Sequence, residues 1–247
     1  MTIASDPPAT SFEELPEDWS RALAVVAHPD DLEYGAASAV ARWTDQGKTV
    51  VYVMVTAGEA GIDSIPPDDA AAMRSDEQIR AGREVGVDVV EFLGHPDGLL
   101  EASIGLRRDL AGAIRRYRPD VLVSLNHREF FPFGGYNHVD HRVVGTALLD
   151  AARDAANRWL FPGVGGAPWS GVRFAVFANS PRANSFVDIA ATVERGVASL
   201  AAHDGYLAVL PDGTAGKDPG PFIRGMAASA GEAVGREAAV LFERIDL

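Results

Sequence analysis

The chain has no cysteine, and this absence excludes several kinds of chemistry. Disulfide bonds, cysteine nucleophiles and thiolate metal sites cannot form, so a metal ion would have to be held by histidine, aspartate or glutamate. Basic residues are also scarce, since 22 lysines and arginines stand against 35 acidic residues and give a formal net charge of −13. Nucleic acids and anionic membranes are bound by clustered positive charge, and we expect neither as the main partner.

Long apolar runs are missing as well, and residues 1–20 have neither the basic nor the apolar region of a signal peptide. We therefore expect a cytoplasmic protein without membrane insertion. The length of 247 residues and the hydrophobic fraction of 47% predict a single domain over residues 1–247. Residues 1–19 are expected to form a flexible or loosely packed N-terminal extension. The sequence leaves homo-oligomer formation open.

Three common enzyme motifs are absent or incomplete. There is no Gly-x-Ser-x-Gly elbow, which argues against a serine hydrolase. No Gly-x-Gly-x-x-Gly follows the first predicted strand, which argues against a nicotinamide dehydrogenase. Residues 213–217 resemble a phosphate-binding loop, but the first glycine and the final serine or threonine of that motif are missing.

Short apolar runs alternate with helical patterns along most of the chain. Strands are predicted at 23–27, 49–56, 89–93, 121–125 and 172–178, and helices at 36–46, 70–84, 104–117, 141–159 and 190–202. Such alternation builds right-handed βαβ units. We therefore expect an α/β fold with a mostly parallel sheet, helices on both faces, and the active site at the C-terminal ends of the strands.

Two further segments complete the predicted organisation. Residues 205–225 are rich in glycine and proline, which predicts a loop near the site that could act as a mobile lid. Residues 227–243 are predicted to be a closing helix that docks through Phe242.

The segment 27–31, Ala-His-Pro-Asp-Asp, follows the first predicted strand directly. Pro29 stiffens the turn and prevents the strand from continuing. The adjacent carboxylates of Asp30 and Asp31 cannot easily point in the same direction. One of them could therefore bind a metal while the other transfers a proton.

A second polar cluster, Gly-Gly-Tyr-Asn-His-Val-Asp-His at 134–141, precedes an amphipathic helix. Two imidazoles, one carboxylate and a water form a common catalytic zinc site. His28, Asp31 and one of His138 or His141 would supply it, and the other histidine would be left for substrate chemistry. Asp140 would orient an imidazole or cap the helix.

Polar residues collect where the predicted strands end. They are His28, Asp30, Asp31, Thr56, Glu59, His95, Asp97, Asn126 and His127. Because the carboxyl ends of parallel strands meet at one edge of a sheet, these side chains are expected to converge. His95, His127 and His203 are nevertheless predicted to have structural rather than catalytic or metal-binding roles.

These motifs resemble those of the N-acetylglucosaminyl-phosphatidylinositol de-N-acetylase (PIG-L/LmbE-like) family. The resemblance rests on an ordered set of short motifs that covers nearly the whole chain. They are Ala-His-Pro-Asp-Asp at 27–31, Thr-Ala-Gly-Glu-Ala-Gly at 56–61, Arg74-x-x-Glu77, Pro-Asp-Gly at 96–98, His-x-Asp-His at 138–141 and Leu-Phe-Glu at 241–243. The Gly-Gly-Tyr segment at 134–136 is similar to the mycothiol-pathway branch.

The resemblance implies a zinc-dependent deacetylase with a Rossmann-like fold. The roles it implies for this chain are zinc ligation by His28, Asp31 and His141, general base catalysis by Asp30, oxyanion or leaving-group assistance by His138 and Tyr136, and sugar contacts by Arg74, Glu59 and Asp97. Iron(II) or cobalt would also be accepted by such ligands.

Several positions depart from the family pattern. Val139 replaces the usual proline of the second motif, and Leu32 separates the two aspartates from Glu33. His203 is followed by Asp-Gly-Tyr, where relatives often carry a glutamine. Asn126 stands where relatives often have aspartate. These departures bear on the identity of the substrate.

The sequence therefore predicts a zinc-dependent hydrolase that removes acetate from an N-acetylglucosamine-type conjugate, a small-molecule substrate. Two alternatives remain. The first is a zinc amidase that cleaves a bulkier N-acyl or thiol-conjugate amide, and the second is a catalytically silent sugar-binding domain.

Overall fold

The computed structural model describes residues 11–247. The strands are β1 (Glu13–Glu14), β2 (Arg21–Val26), β3 (Thr49–Met54), β4 (Val89–Phe92), β5 (Val121–Leu125), β6 (Phe174–Ala178), β7 (Ser185–Asp188) and β8 (Ala239–Asp246). The helices are α1 (Asp31–Gly35), α2 (Ala37–Asp45), α3 (Pro67–Glu84), α4 (Ile104–Tyr117), α5 (Val139–Ala156), α6 (Val193–Ala201), α7 (Asp204–Val209) and α8 (Pro219–Val234).

The strands form one sheet in the order β1-β7-β8-β6-β5-β2-β3-β4. The pairings are parallel except those of β8, which runs antiparallel to both β6 and β7. The predicted α/β fold with a mostly parallel sheet is confirmed. The chain order reverses around β2, because β3 lies on one side of it and β5 on the other, and open α/β sheets place ligands at such points.

Both faces of the sheet are covered by hydrophobic cores. Ala24 and Val26 of β2 point into one core together with Trp43 of α2. Leu23 and Val25 of the same strand point into the other core, which includes apolar residues of α4 and α5. Successive residues of a strand face opposite sides, so a continuous apolar run is what a doubly covered strand requires.

The predictions for the first two thirds of the chain agree closely with these elements. The bounds of α4 and β5 are those predicted, and the ends of most other elements differ by a few residues. Helix α3 begins at Pro67 rather than at residue 70, since proline is well tolerated in the first helical turn, where a backbone N–H has no helical acceptor.

Two predictions for the C-terminal part are wrong. Residues 205–225 are not one loop, because α7 occupies most of the beginning of this segment and α8 starts at Pro219. Residues 227–243 are not one helix, because α8 ends before Gly235, which has a left-handed φ of 68°, and β8 follows. Phe242 is fully buried, as expected for a docking residue, but it lies on a strand.

The N-terminal prediction is wrong for the part that the structure describes. Residues 13–14 pair with β7, and both Leu15 and Trp19 are buried, so this stretch is packed against the domain rather than loose. The remainder of the predicted extension, residues 1–10, lies outside the described residues. Between residues 11 and 247, no helix is long and apolar enough to cross a membrane.

Candidate metal and catalytic site

The site begins where β2 ends and the chain turns into α1. His28 is the second residue after β2, and Asp30 has a left-handed backbone conformation with a φ of 88°. Aspartate tolerates this region better than most residues, and the turn is held by the Asp30 N–H, which donates to Gln78 Oε1 at 2.8 Å. The turn points Asp30 and Asp31 to different partners.

Three side chains converge on a common point. His28 Nδ1 lies 3.2 Å from His141 Nε2, and Asp31 Oδ1 lies 3.0 Å from the same His141 nitrogen. Asp31 Oδ2 lies 3.6 Å from His28 Nδ1 and accepts a hydrogen bond from the His28 backbone at 2.9 Å. Their ligand atoms all fall within 4.8 Å of one another, a spacing suited to a metal ion. Two imidazole nitrogens and a carboxylate are donors that zinc accepts.

The second nitrogen of each imidazole has its own partner. His28 Nε2 lies 3.0 Å from Asp97 Oδ1 and 3.2 Å from Asp140 Oδ2, which favours a proton on this nitrogen and would leave Nδ1 to bind a metal. His141 Nδ1 lies 2.9 Å from Asn137 Oδ1, which leaves His141 Nε2 free in the same way. Partners of this kind fix the tautomer and the orientation of histidine ligands.

A second group of potential ligands, His28, His138 and Asp140, satisfies the same spacing. Its members are already engaged. Asp140 accepts hydrogen bonds from the backbone of Gly98 at 2.7 Å and Leu100 at 3.2 Å, and His138 Nδ1 accepts one from the Asp140 backbone. The set formed by His28, Asp31 and His141 is therefore the better fit to a metal.

The three candidate metal ligands, His28, Asp31 and His141, are called the donor set below. The charges around them favour a bound cation. Burial would lower the pKa of His28, but the carboxylates of Asp140, Asp31 and Asp97 raise it well above the ordinary value. Burial would raise the pKa of Asp31, but the charge and hydrogen bond of His141 hold it well below the usual range. A cluster of buried carboxylates that favours positive charge is the environment a divalent metal needs.

Asp30 lies beside the donor set but makes different contacts. Its side chain is buried, and Arg74 Nη2 donates to Asp30 Oδ2 at 3.1 Å. Burial raises the pKa of Asp30 to about 6, even though the charge of Arg74 opposes this. A carboxylate with a pKa near neutrality is suited to accept and return a proton.

Arg74 is buried rather than open to a ligand. Its guanidinium also donates to the backbone carbonyls of Pro29, at 2.6 Å, and Gly58, at 2.9 Å. A Cβ atom at Gly58 would lie 2.2 Å from Arg74 Nη1, and one at Gly61 would lie 2.5 Å from it. The glycines of segment 56–61 therefore make room for this guanidinium.

The other two predicted substrate contacts form one local network. Glu59 accepts hydrogen bonds from the backbone of Asp97 at 2.8 Å and of Ala57 at 3.3 Å. Asp97 Oδ2 in turn accepts from the Ala60 backbone, while its other oxygen faces His28. The structure thus joins the strand ends of β3 and β4 to the donor set.

His138 and Tyr136 are more exposed. The His138 ring centroid lies 5.1 Å from that of His28 and 5.5 Å from that of His141. Burial and the neighbouring charges of His28 and His141 lower its pKa. Tyr136 is 64% exposed and packs against Phe130 and the guanidinium of Arg142.

The sequence interpretation gave no role to three residues that shape the site and only a structural role to His203. Gln78 holds the Asp30 turn, Asn137 orients His141, and Tyr206 stacks on Arg74 near a fully buried His203. A helical spacing of four residues from Arg74 could have suggested Gln78, and Asn137 lies inside the quoted motif. Tyr206 was noted only as part of a departure from the family pattern after His203, without a role at the site.

The structure is therefore an α/β protein with a mostly parallel sheet and a candidate His-Asp-His metal site beside a buried carboxylate at its switch point. The profile of the GlcNAc-PI de-N-acetylase (PIG-L) family matches residues 23–152. The chain belongs to this family.

Sequence similarity to two named relatives extends over most of this chain. The protein is 28% identical to a 1D-myo-inositol 2-acetamido-2-deoxy-alpha-D-glucopyranoside deacetylase from Kineococcus radiotolerans, over 85% of this chain and 68% of that one. It is 26% identical to a diacetylchitobiose deacetylase from Thermococcus kodakarensis, over 76% and 70%. The structure resembles N,N'-diacetylchitobiose deacetylase from Pyrococcus horikoshii, with a TM-score of 0.81 and 25% identity over 93% of this chain and 85% of that one.

Proposed function

We propose that this protein is a zinc-dependent hydrolase that removes the acetyl group from an N-acetylglucosamine-type conjugate. The observation that carries the proposal is the convergence of His28, Asp31 and His141 with the buried Asp30 beside them. The relatives named above are deacetylases of N-acetylated amino sugars, and this supports the same reaction class here. A small-molecule conjugate in the cytoplasm is the proposed partner.

Metal binding and proton transfer are assigned to different residues. A zinc ion held by His28, Asp31 and His141 would lower the pKa of a water molecule and polarise the amide carbonyl. Asp30 accepts the proton of the attacking water, because its buried carboxylate has a pKa of about 6 and is oriented by Arg74.

The remaining site residues stabilise the oxyanion, protonate the leaving amine or orient the metal ligands. His138 stabilises the developing oxyanion or protonates the amine, and Tyr136 assists as a second donor once substrate covers the exposed loop. Asp140 keeps the Nε2 proton on His28. Losing one oxyanion donor typically costs about 10²–10³ in rate.

Arg74, Glu59 and Asp97 are proposed to shape the sugar subsite. Arg74 and Asp97 act in part indirectly, because Arg74 pairs with Asp30 and Asp97 contacts His28. The edge of the strands at which they meet is where a sugar would approach the donor set.

The test is acetate release from N-acetylglucosamine conjugates by zinc-loaded protein and by the Asp30→Asn variant. We expect turnover by the wild type, and a variant that keeps its metal but loses at least about 10²-fold in kcat. A matched control is Asp18→Asn, because the exposed Asp18 pairs with Arg173 just before the N-terminal ends of β2 and β6. A wild type that retains zinc but releases neither acetate nor amine from any N-acyl sugar would favour a silent sugar-binding domain.

A second candidate, an amidase for a bulkier acyl group, is favoured by one specific observation. A cavity of about 560 Å³ adjoins α1 and includes Tyr34, Phe133, Ile223 and Met226 among its mostly apolar lining. Its lining contains Glu33 and Tyr34 of α1 but none of the proposed metal ligands, so only an acyl chain long enough to extend past α1 would reach it. Comparing kcat/KM for N-acetyl and N-octanoyl derivatives of one amino sugar separates the two candidates.

A further inference from the structure

Tyr206, on α7, lies against the pair formed by Arg74 and Asp30. The Arg74 guanidinium carbon lies 4.7 Å from the centre of the Tyr206 ring, and Nη2 of the same guanidinium donates a hydrogen bond to Asp30 Oδ2 at 3.1 Å. Burial, followed by the charge of Asp30, raises the pKa of Tyr206 to about 12. The phenol is therefore a neutral hydrogen-bond donor beside a buried carboxylate.

The start of α7 is fastened to α3 by Arg80, which donates to Asp204 Oδ1 at 2.7 Å, and by Glu77. Glu77 Oε1 accepts the backbone N–H of Gly205 at 2.6 Å and that of Tyr206 at 3.2 Å. Glu77 lies three residues after Arg74 on the same helix. The contact is close, because a Cβ atom at Gly205 would lie 2.7 Å from Met73 Sδ and 2.8 Å from Glu77 Oε1.

His203, the residue before α7, is buried between two glutamates. Its Nε2 lies 3.6 Å from Glu33 Oε2, its Nδ1 lies 3.9 Å from Glu77 Oε2, and its side chain has no exposed surface. Burial would lower its pKa, but Glu33 raises it above the ordinary value. A positive charge on this imidazole would offset the negative charge of both glutamates. The proposed reaction makes no use of this cluster.

We propose that Tyr206 is a positioning residue for Asp30, an assignment that rests on the proposed function. Its ring covers the Arg74 guanidinium, and its hydroxyl would donate to the Asp30 carboxylate, so that Asp30 keeps one orientation toward the attacking water. The hydrogen bonds that the Gly205 and Tyr206 backbone donates to Glu77 hold α7 at the distance that this requires. Tyr206 acts through Asp30 and does not touch the reacting atoms.

The first test separates catalysis from binding. Tyr206→Phe keeps the ring over Arg74 and removes only the hydroxyl. A hydrogen bond to a charged group is worth roughly tenfold or more in rate, so we expect kcat to fall by about 10–100-fold while KM stays within about twofold and the zinc content is unchanged. Gly205→Ala, which displaces α7 but retains the phenol, should lower kcat in the same direction.

Tyr117→Phe is the matched control. The Tyr117 hydroxyl donates to Glu91 Oε2 at 2.8 Å on the surface of α4, so this variant also loses a phenol–carboxylate hydrogen bond but should keep the wild-type kcat. A Tyr206→Phe protein with kcat within about twofold of the wild type, or with an increase in KM alone, would overturn the proposal.

A second test does not depend on activity. Tyr206→Phe is introduced into the wild type and into Asp30→Ala, and the melting temperatures of the four proteins are compared. We expect a decrease of about 2–4 °C when Asp30 is present and less than about 1 °C when it is absent. Equal decreases would overturn the proposal. If the wild type is inactive on every N-acyl sugar, the proposed function fails, and the melting comparison alone decides whether Tyr206 and Asp30 are coupled.

Discussion

His28 Nδ1 lies 3.2 Å from His141 Nε2, although the two residues are 113 positions apart in the sequence. The first follows β2 and the second lies in the first turn of α5. Each ring uses its other nitrogen for a hydrogen bond, so the two nitrogens that face each other are both available as metal ligands. A shared cation is the simplest way to satisfy both lone pairs and the charge of Asp31.

Replacing His141 should remove a metal ligand. We expect His141→Ala to bind substantially less than one equivalent of zinc per chain under conditions that saturate the wild type, because only His28 and Asp31 remain. Metal content after gel filtration, measured by atomic emission, checks this. His95→Ala is the control, since His95 pairs with Asp109 and should leave the stoichiometry unchanged. Equal zinc content in His141→Ala and the wild type would contradict the assigned ligand set.

Asp140 should influence metal affinity without binding the metal. Asp140→Asn can still accept a hydrogen bond but loses the charge that keeps the proton on His28 Nε2, so we expect zinc affinity to fall by about 10–100-fold. Competition with a fluorescent chelator measures the dissociation constant. Asp150→Asn, on the outer part of the same helix, provides the comparison and should bind zinc as the wild type does. An unchanged affinity in Asp140→Asn would show that Asp97 alone is sufficient.

Arg115 should be a determinant of stability. The five N–H groups of its buried guanidinium, one of them shared, contact six backbone carbonyls at the end of α5 and in the following loop, those of Asp154, Ala155, Asn157, Leu160, Phe161 and Val164. Lysine cannot reproduce this fork, so Arg115→Lys should lower the free energy of unfolding by about 3 kcal/mol. Urea unfolding measures it. Arg116→Lys, at an exposed neighbouring position, should change stability by no more than about 0.5 kcal/mol.

His127 should make stability depend on pH. Burial, and then the charge of Arg128, lower its pKa to about 4 in the folded protein, below the ordinary value of 6.5. Between these values the unfolded chain binds more protons than the folded one, so stability falls as the pH drops from 6.5 toward 4.

The corresponding variant is His127→Phe, which keeps an aromatic ring against Phe177 but cannot titrate. Between pH 7.5 and pH 5, the wild type should lose at most about 2 kcal/mol more than this variant in urea unfolding. Identical pH dependence of the two proteins would show that His127 keeps its ordinary pKa in the fold.

Local patterns predicted much of the fold but failed where tertiary pairing decides. Residues 104–117 have apolar positions at helical spacing and a serine cap, so the helix could be read directly. Residues 239–246 lie after a helical pattern and become a strand because they fill the gap between β6 and β7. The glycines and prolines of 205–225 suggested a loop, although proline at the first turn is compatible with α8.

The sequence by itself determined the parallel core of the sheet and the family resemblance. Its residues predicted His28, Asp31 and one of His138 or His141 as metal ligands, and the resemblance favoured His141. Only the tertiary structure decided that Arg74 is buried against Asp30, that Asp97 and Asp140 share the His28 proton, and that Tyr206 lies over Arg74. These contacts join segments far apart in the chain. Their distances depend on how whole helices pack, and no local pattern of residues encodes that.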